Sequence, residues 1–368
     1  MSNHRSVLIA ALSLPTLGLV TLTALMGFQS PAPIAPVSTR SSLILLYDTI
    51  PSSNAIERAK AIGAKPFYVL YESCDPQAAK SGIIDIDNCL KAIESENVGN
   101  PPEWGMLDFE NPFHSDLQKG PASPECQRAI QTMIALIRAV KLRYPNTKWT
   151  YYGVPYLPYW IMENKQTWSS ATSEVKRDEL NRSIGIYAPL VQELDWISPS
   201  VYAFYEMRLF PKDQWSFMLK GDSAWRQAQV GLAALLGKGK PVIPTVCPYW
   251  GPSGLADYCR VIPTADFLSG QIVPSVTAGA AGIAIWTGIG YFIKLSTAGP
   301  DQVFPNEKNY GQMEWRAAFT KDYLGNQTPT DWTRPEIKRQ LESATSDTIA
   351  GSLRSIRDWE SSRRDLKQ

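Results

Sequence analysis

Histidine is nearly missing: His4 and His114 are the two in 368 residues. No HExxH or CxxC spacing occurs either, so a zinc site has no obvious ligand set, and no metal and no cofactor are expected. An excess of charge of one sign is also lacking. The 36 Lys and Arg residues balance 35 Asp and Glu, a formal net charge of +1, which sets aside a strongly basic nucleic-acid binder. No GxGxxG follows an apolar run, so a nucleotide fold would lack its phosphate turn. No internal repeat is visible. What remains, 44% hydrophobic and 19% charged, is the composition of a folded globular chain, long enough for one large barrel or two ordinary domains.

One more absence is local. After His4 and Arg5 no charged residue occurs until Arg40, and residues 6–28 are largely apolar. A positive start followed by a long apolar stretch predicts a signal peptide or N-terminal membrane anchor over 1–28, the anchor attaching the chain to a membrane through residues 6–28. Pro15 weakens the stretch as a permanent helix. Residues 29–40 read as a Pro-rich linker. The protein is therefore expected to be secreted, or anchored with its catalytic domain outside the cytoplasm. Export permits disulfides. Among Cys74, Cys89, Cys126, Cys247 and Cys259, the pairs Cys74–Cys89 and Cys247–Cys259 would close short loops and leave Cys126 over. Spacing alone does not fix that connectivity.

From residue 41 strand-like and helix-like segments alternate. Leu43–Tyr47, Pro66–Tyr71, Trp104–Phe109, Lys148–Val154, Trp196–Tyr202, Pro241–Val246 and Ala281–Trp286 read as buried strands. Ala55–Ile62, Cys126–Arg143 and Ser173–Leu194 read as helices between them, and Asp266–Ala278 could hold another. Such alternation argues a parallel sheet, and its natural closure is a distorted (β/α) barrel of the TIM type over 41–325, a single α/β catalytic domain. Residues 326–368 read as a charged C-terminal helix or tail.

The chemistry points to Gly105-Met-Leu-Asp108-Phe-Glu110. Residues i and i+2 of a strand share a face, so both carboxylates aim the same way. At the C-terminal mouth of a barrel that way is the cleft. Two such close carboxylates cannot easily both ionise, and a raised pKa suits a general acid. Aromatic residues gather near the other strand ends: Tyr152, Tyr202, Tyr249, Trp250 and Trp286. Their flat rings suit the C–H faces of sugars, although any single one could simply fill a core. A polysaccharide or other glycan is thus the expected partner.

Five motifs follow in order: Gly105-x-x-Asp108-x-Glu110, Tyr152-Gly-Val-Pro155, Ser198-Pro-Ser-Val-Tyr202, Pro241-Val-Ile-Pro244 and Gly279-Ala-Ala-Gly282-Ile-Ala-Ile-Trp286. This ordered set resembles the hyaluronidase family of glycoside hydrolases over roughly residues 43–320. The resemblance implies a retaining, substrate-assisted hydrolysis in which the substrate's own 2-acetamido oxygen attacks the anomeric carbon. It implies Glu110 as acid and then base, Asp108 at the acetamido nitrogen, Tyr202 at the acetamido oxygen and Trp286 as the floor of the sugar subsite. Tyr152, Tyr249 and Trp250 would be cleft walls. The local geometry agrees, because acids at i and i+2 lie on one side of the bond and cannot flank it as an acid and a nucleophile would. The chain departs from the family after the acids, where Asn111-Pro-Phe-His114 replaces Trp-Arg-Pro. With the neutral net charge, that departure widens the expected substrate from hyaluronan to N-acetylhexosamine-containing glycans. Two other readings use the same residues: a non-catalytic glycan-binding surface protein, and a chitinase-like barrel glycosidase.

Overall fold

The computed structural model of the chain describes residues 42–97, 101–161, 166–203, 212–249, 261–286 and 335–365. The expected leader at 1–28, the linker at 29–40, Trp250 and Cys259 lie outside these residues. Among the described residues no helix is long and apolar enough to cross a membrane.

In chain order the elements are β1 (Ile44–Tyr47), α1 (Ser53–Ala61), β2 (Lys65–Pro66), β3 (Tyr68–Tyr71), α2 (Ala78–Ser81), α3 (Ile86–Asn97) and β4 (Trp104–Asp108). Next come α4 (Phe113–Gln118), α5 (Pro124–Arg143), β5 (Lys148–Tyr151), the antiparallel pair β6 (Trp160–Ile161) and β7 (Gln166–Thr167), α6 (Ser173–Glu193) and α7 (Trp215–Gly237). The chain continues through β8 (Thr245–Val246), α8 (Thr264–Phe267), a π turn, α9 (Val273–Thr277), β9 (Gly282–Ile285) and α10 (Pro335–Asp365).

Backbone pairing runs parallel and in chain order around a closed ring. β1 pairs with β2, β3 with β4 and β4 with β5. Tyr152 then bridges Ser198, Ile197 bridges Val242 and Ser200 bridges Thr245. Pro199, Pro241 and Pro244 have no N–H to give, so this part of the ladder is reduced to single bridges. β8 pairs with β9, and β9 with β1. Counting β2 and β3 as one member broken at Phe67, seven parallel segments close on themselves. The fold is the distorted (β/α) barrel expected. Its closing seam is tight: a Cβ on Gly282 would stand 2.3 Å from the carbonyl oxygen of Ile44.

Strand alternation divides the side chains. Leu46, Phe67, Val69, Trp104, Met106, Trp196, Ile243 and Ala284 form one cluster inside the ring. Trp104 and Trp196 meet edge to face at 5.7 Å, and Phe67 joins them, so aromatic rings plug one end of the barrel. The alternate positions, such as Leu45, Leu70, Leu107 and Ile197, belong to the larger layer under the helices. Helix α5 shows how that layer is seated. Ser123 accepts the amide of Cys126, Pro124 opens the helix, and Met133, Leu136, Ile137 and Val140 are buried. Each such side chain contributes roughly 1.5–3 kcal/mol by leaving water.

The charged C-terminal segment forms α10, which packs against α1 and the π turn before β9. It therefore stands beside the first and last parts of the helical ring. Ile349, Ala350, Leu353 and Ile356 are its buried face. Its charges meet backbone at the barrel's beginning: Leu43 N donates to Glu360 Oε1 at 2.8 Å, and Arg357 donates to the carbonyls of Leu43 and Ile62, each at 3.2 Å.

One cysteine expectation is corrected. The 3-10 turn Glu72–Cys74 and helix α3 bring the Cys74 and Cys89 sulfurs to 3.4 Å, a thiol contact. A disulfide needs about 2.05 Å, and both residues are free cysteines. Spacing foretold the neighbours and not the bond. Cys126 and Cys247 are also free and buried.

Candidate active site

The interior positions of the barrel, followed two residues at a time toward the strand C-termini, lead to one cluster of polar and aromatic side chains. On β4, Trp104 and Met106 lie inside, and Asp108 and Glu110 continue the same parity. The same count runs from Leu46 to Asp48, from Val69 to Tyr71, from Trp196 through Ser198 and Ser200 to Tyr202, and from Ala284 to Trp286. The apolar interior thus ends in a polar rim at the carboxyl ends of the strands, where barrel enzymes place their chemistry.

The contacts bear this out. Tyr202 stacks on Trp286 with centroids 5.7 Å apart and planes at 20°. Tyr152 lies 5.9 Å from Tyr202, shares a hydrogen bond with it, and donates its hydroxyl to Ser200 Oγ at 3.1 Å. Trp286 Nε1 donates to the Tyr71 hydroxyl at 3.1 Å. Burial holds the Tyr152 and Tyr202 phenols well above the ordinary tyrosine range, so both stay protonated donors at neutral pH.

The acid pair sits beside them. Burial first, and then the charges of Glu110 and Glu72, push Asp108 well above the usual carboxylate range. Burial and Glu72 raise Glu110 as well. The two therefore titrate as a pair that holds a proton longer than free carboxyls do. Asp108 Oδ1 is enclosed and has no hydrogen-bond partner among the described residues. An enclosed carboxylate oxygen left alone is costly unless a ligand or a shared proton satisfies it.

The raised pair has a consequence for stability. Ionising these carboxyls is harder in the folded chain than in the unfolded one. Their contribution is therefore fully present below the unfolded pKa values and is lost as pH rises through the folded ones. Asp108→Asn removes the Asp108 share of that loss, so it is expected to raise the thermal midpoint over wild type at about pH 8 and to leave it nearly unchanged at about pH 4. Thermal scans of both proteins at the two pH values check this; an equal shift at both would contradict it.

Three residues outside the set expected from the sequence enter the site. Tyr71 joins through Trp286 and Glu72 through the acids. His114 is the second residue of α4, half-buried against Tyr156 (6.4 Å, 19° between planes) and Tyr152 (6.5 Å). Desolvation pulls its pKa down to about 4, so the ring is neutral at pH 7. The signal for Tyr71 was available in the parity count; those for Glu72 and His114 needed the tertiary packing. Of the expected cleft walls, Tyr152 joins the cluster. Tyr249 is 1% exposed, covered rather than open, with its backbone bridging Val261. A hollow of about 530 Å³ lies at the opposite end of the barrel, lined by Lys65, Glu103, Trp104, Lys148 and Arg357 among others. There Glu103 already pairs with both lysines, and Glu360 with Arg357.

No protein-family model and no curated protein matches this chain. Solved structures do. Bee venom hyaluronidase is 13% identical with a TM-score of 0.45, over 77% of this chain and 98% of its own. The same enzyme in complex with a hyaluronic acid tetramer gives 15% and 0.45, over 77% and 99%. An endo-1,4-beta-D-mannanase from Thermotoga petrophila gives 15% and 0.38, over 78% and 77%.

Proposed function

We propose that this protein is a glycoside hydrolase that cleaves N-acetylhexosamine-containing glycans by a retaining, substrate-assisted route. The observation that carries the reading is the acid pair: Asp108 and Glu110 share the interior parity of β4 at the barrel mouth, both raised, with Asp108 Oδ1 enclosed and unpartnered among the described residues. A binder has no need of a proton donor in such a place.

In the first step the Glu110 carboxyl gives its proton to the glycosidic oxygen as the bond to the anomeric carbon breaks. The acetamido oxygen of the substrate forms the new bond to that carbon, giving a cyclic oxazolinium. Asp108 accepts the acetamido N–H and offsets the developing positive charge. The Tyr202 hydroxyl donates to the acetamido oxygen and orients it, while Trp286 stacks beneath the sugar. Water then adds to the anomeric carbon from the face the leaving group vacated. Its proton returns to Glu110, and the acetamido group is restored. The expected export through residues 1–28 would place this activity outside the cytoplasm.

The test is the full chain incubated with a panel of N-acetylhexosamine polymers, charged and neutral, with new reducing ends as readout. Reducing ends from at least one polymer are expected. Saturable binding without any cleavage would favour the glycan-binding alternative.

A further inference from the structure

Strand pairing between β3 and β4 ends at Tyr71 opposite Asp108. Glu72, the next residue, reaches across the end of this ladder. Its Oε2 accepts the amides of both Glu110 and Asn111, each at 3.0 Å. On the other side, the Glu110 carbonyl accepts the amide of His114 at 2.7 Å. The backbone of the acid is therefore held from two directions beyond the last strand pair, and the hold on its N–H comes from a side chain.

We propose that Glu72 is a positioning residue for the proposed hydrolysis: its carboxylate fixes the turn that carries Glu110 and sets its negative charge against the acid pair. This rests on the reading of Glu110 as the proton donor. Backbone carbonyls would have given the same two hydrogen bonds without a charge. A carboxylate does both, and it contributes to the upward shift of Glu110 and of Asp108. Glu72 after β3 and Asp108 on its own strand are the carboxylates nearest Glu110; Tyr152 after β5 faces both acids, Tyr71 and Tyr202 face Asp108, Asp48 after β1 faces Tyr71, and the His114 ring on α4 lies against Tyr152. Of these, burial and Glu72 act on Glu110 itself.

Two variants separate the hydrogen bonds from the charge. Glu72→Gln keeps an oxygen that can accept both amides and removes the charge; Glu72→Ala removes both. In the full chain labelled with ¹³C at the glutamate carboxyl carbon, the Glu110 signal is assigned by its loss in Glu110→Gln. Its titration midpoint is expected to fall by about one pH unit in Glu72→Gln. The basic limb of the rate profile should move down with it. Glu72→Ala is expected to lower kcat by about 10–100-fold with KM within about threefold, because the acid is then misplaced rather than the substrate released. An unmoved Glu110 midpoint in Glu72→Gln, or a wild-type kcat in Glu72→Ala, would overturn the proposal. The NMR titration needs no turnover. A wild type that cleaves nothing would therefore remove the proposed function and leave the role of Glu72 to be decided by the midpoint.

Discussion

Glu110→Gln is expected to lower kcat by about 10²–10⁴-fold, the range for losing one proton donor. Glutamine keeps the shape and the backbone bonds to Glu72 and His114, so the loss would come from chemistry and not from a displaced turn. The leaving oxygen would then depart unprotonated. Substrate binding does not need that proton, so KM should change little. Asp108→Asn should also be damaging, since an amide cannot offset the charge of the oxazolinium. The double variant should be less than additive, because in the proposed route the two groups act in one step. Single-turnover assays on a cleaved polymer measure all four proteins. A Glu110→Gln rate within about threefold of wild type would remove Glu110 from the acid role.

The second large effect concerns the strand end beneath Tyr202. Arg226 on α7 is 2% exposed. Its Nε donates to the Val201 carbonyl at 3.1 Å, its Nη2 to the Tyr202 carbonyl at 3.3 Å, and its Nη1 meets Asp222 Oδ2 at 3.3 Å. Asp222 also accepts the Tyr159 hydroxyl. Removing the guanidinium leaves a buried carboxylate and two carbonyls without it, so Arg226→Ala is expected to cost about 3–5 kcal/mol. Arg226→Met with Asp222→Asn should recover part of this, since it removes the uncompensated charge. Chemical denaturation of the three proteins gives the numbers. A cost under about 1 kcal/mol for the single variant would mean that the network is not holding this strand end.

How far the sequence could be read varies with the kind of contact. Apolar runs such as Leu43–Tyr47 and Ala281–Trp286 announced the strands, because a strand covered on both sides has little choice of residue. The period of two placed Asp108 with Glu110, and the same count places Tyr71 and Trp286 on the shared rim. It could not place Glu72, whose role depends on β3 pairing with β4 in one register and on a side chain reaching past it. Arg226 was equally hidden. On a helix it reads as a solvated charge, and only the contact of α7 with the strand end gives it two carbonyls. The charges of α10 were misleading for the same reason: Arg357 and Glu360 cap backbone groups near β1 that are far away in the chain. The breaks in the ladder at Pro199, Pro241 and Pro244 shortened the strands that hydrophobicity had drawn longer.

The most direct measurement compares one oligosaccharide with its N-deacetylated counterpart and follows the first-formed product by ¹H NMR. Substrate assistance predicts cleavage of the acetylated form with retained anomeric configuration, and no cleavage of the amine. Equal rates on both forms, or an inverted product, would contradict the account of Glu110, Asp108 and Tyr202 as a site built around the acetamido group.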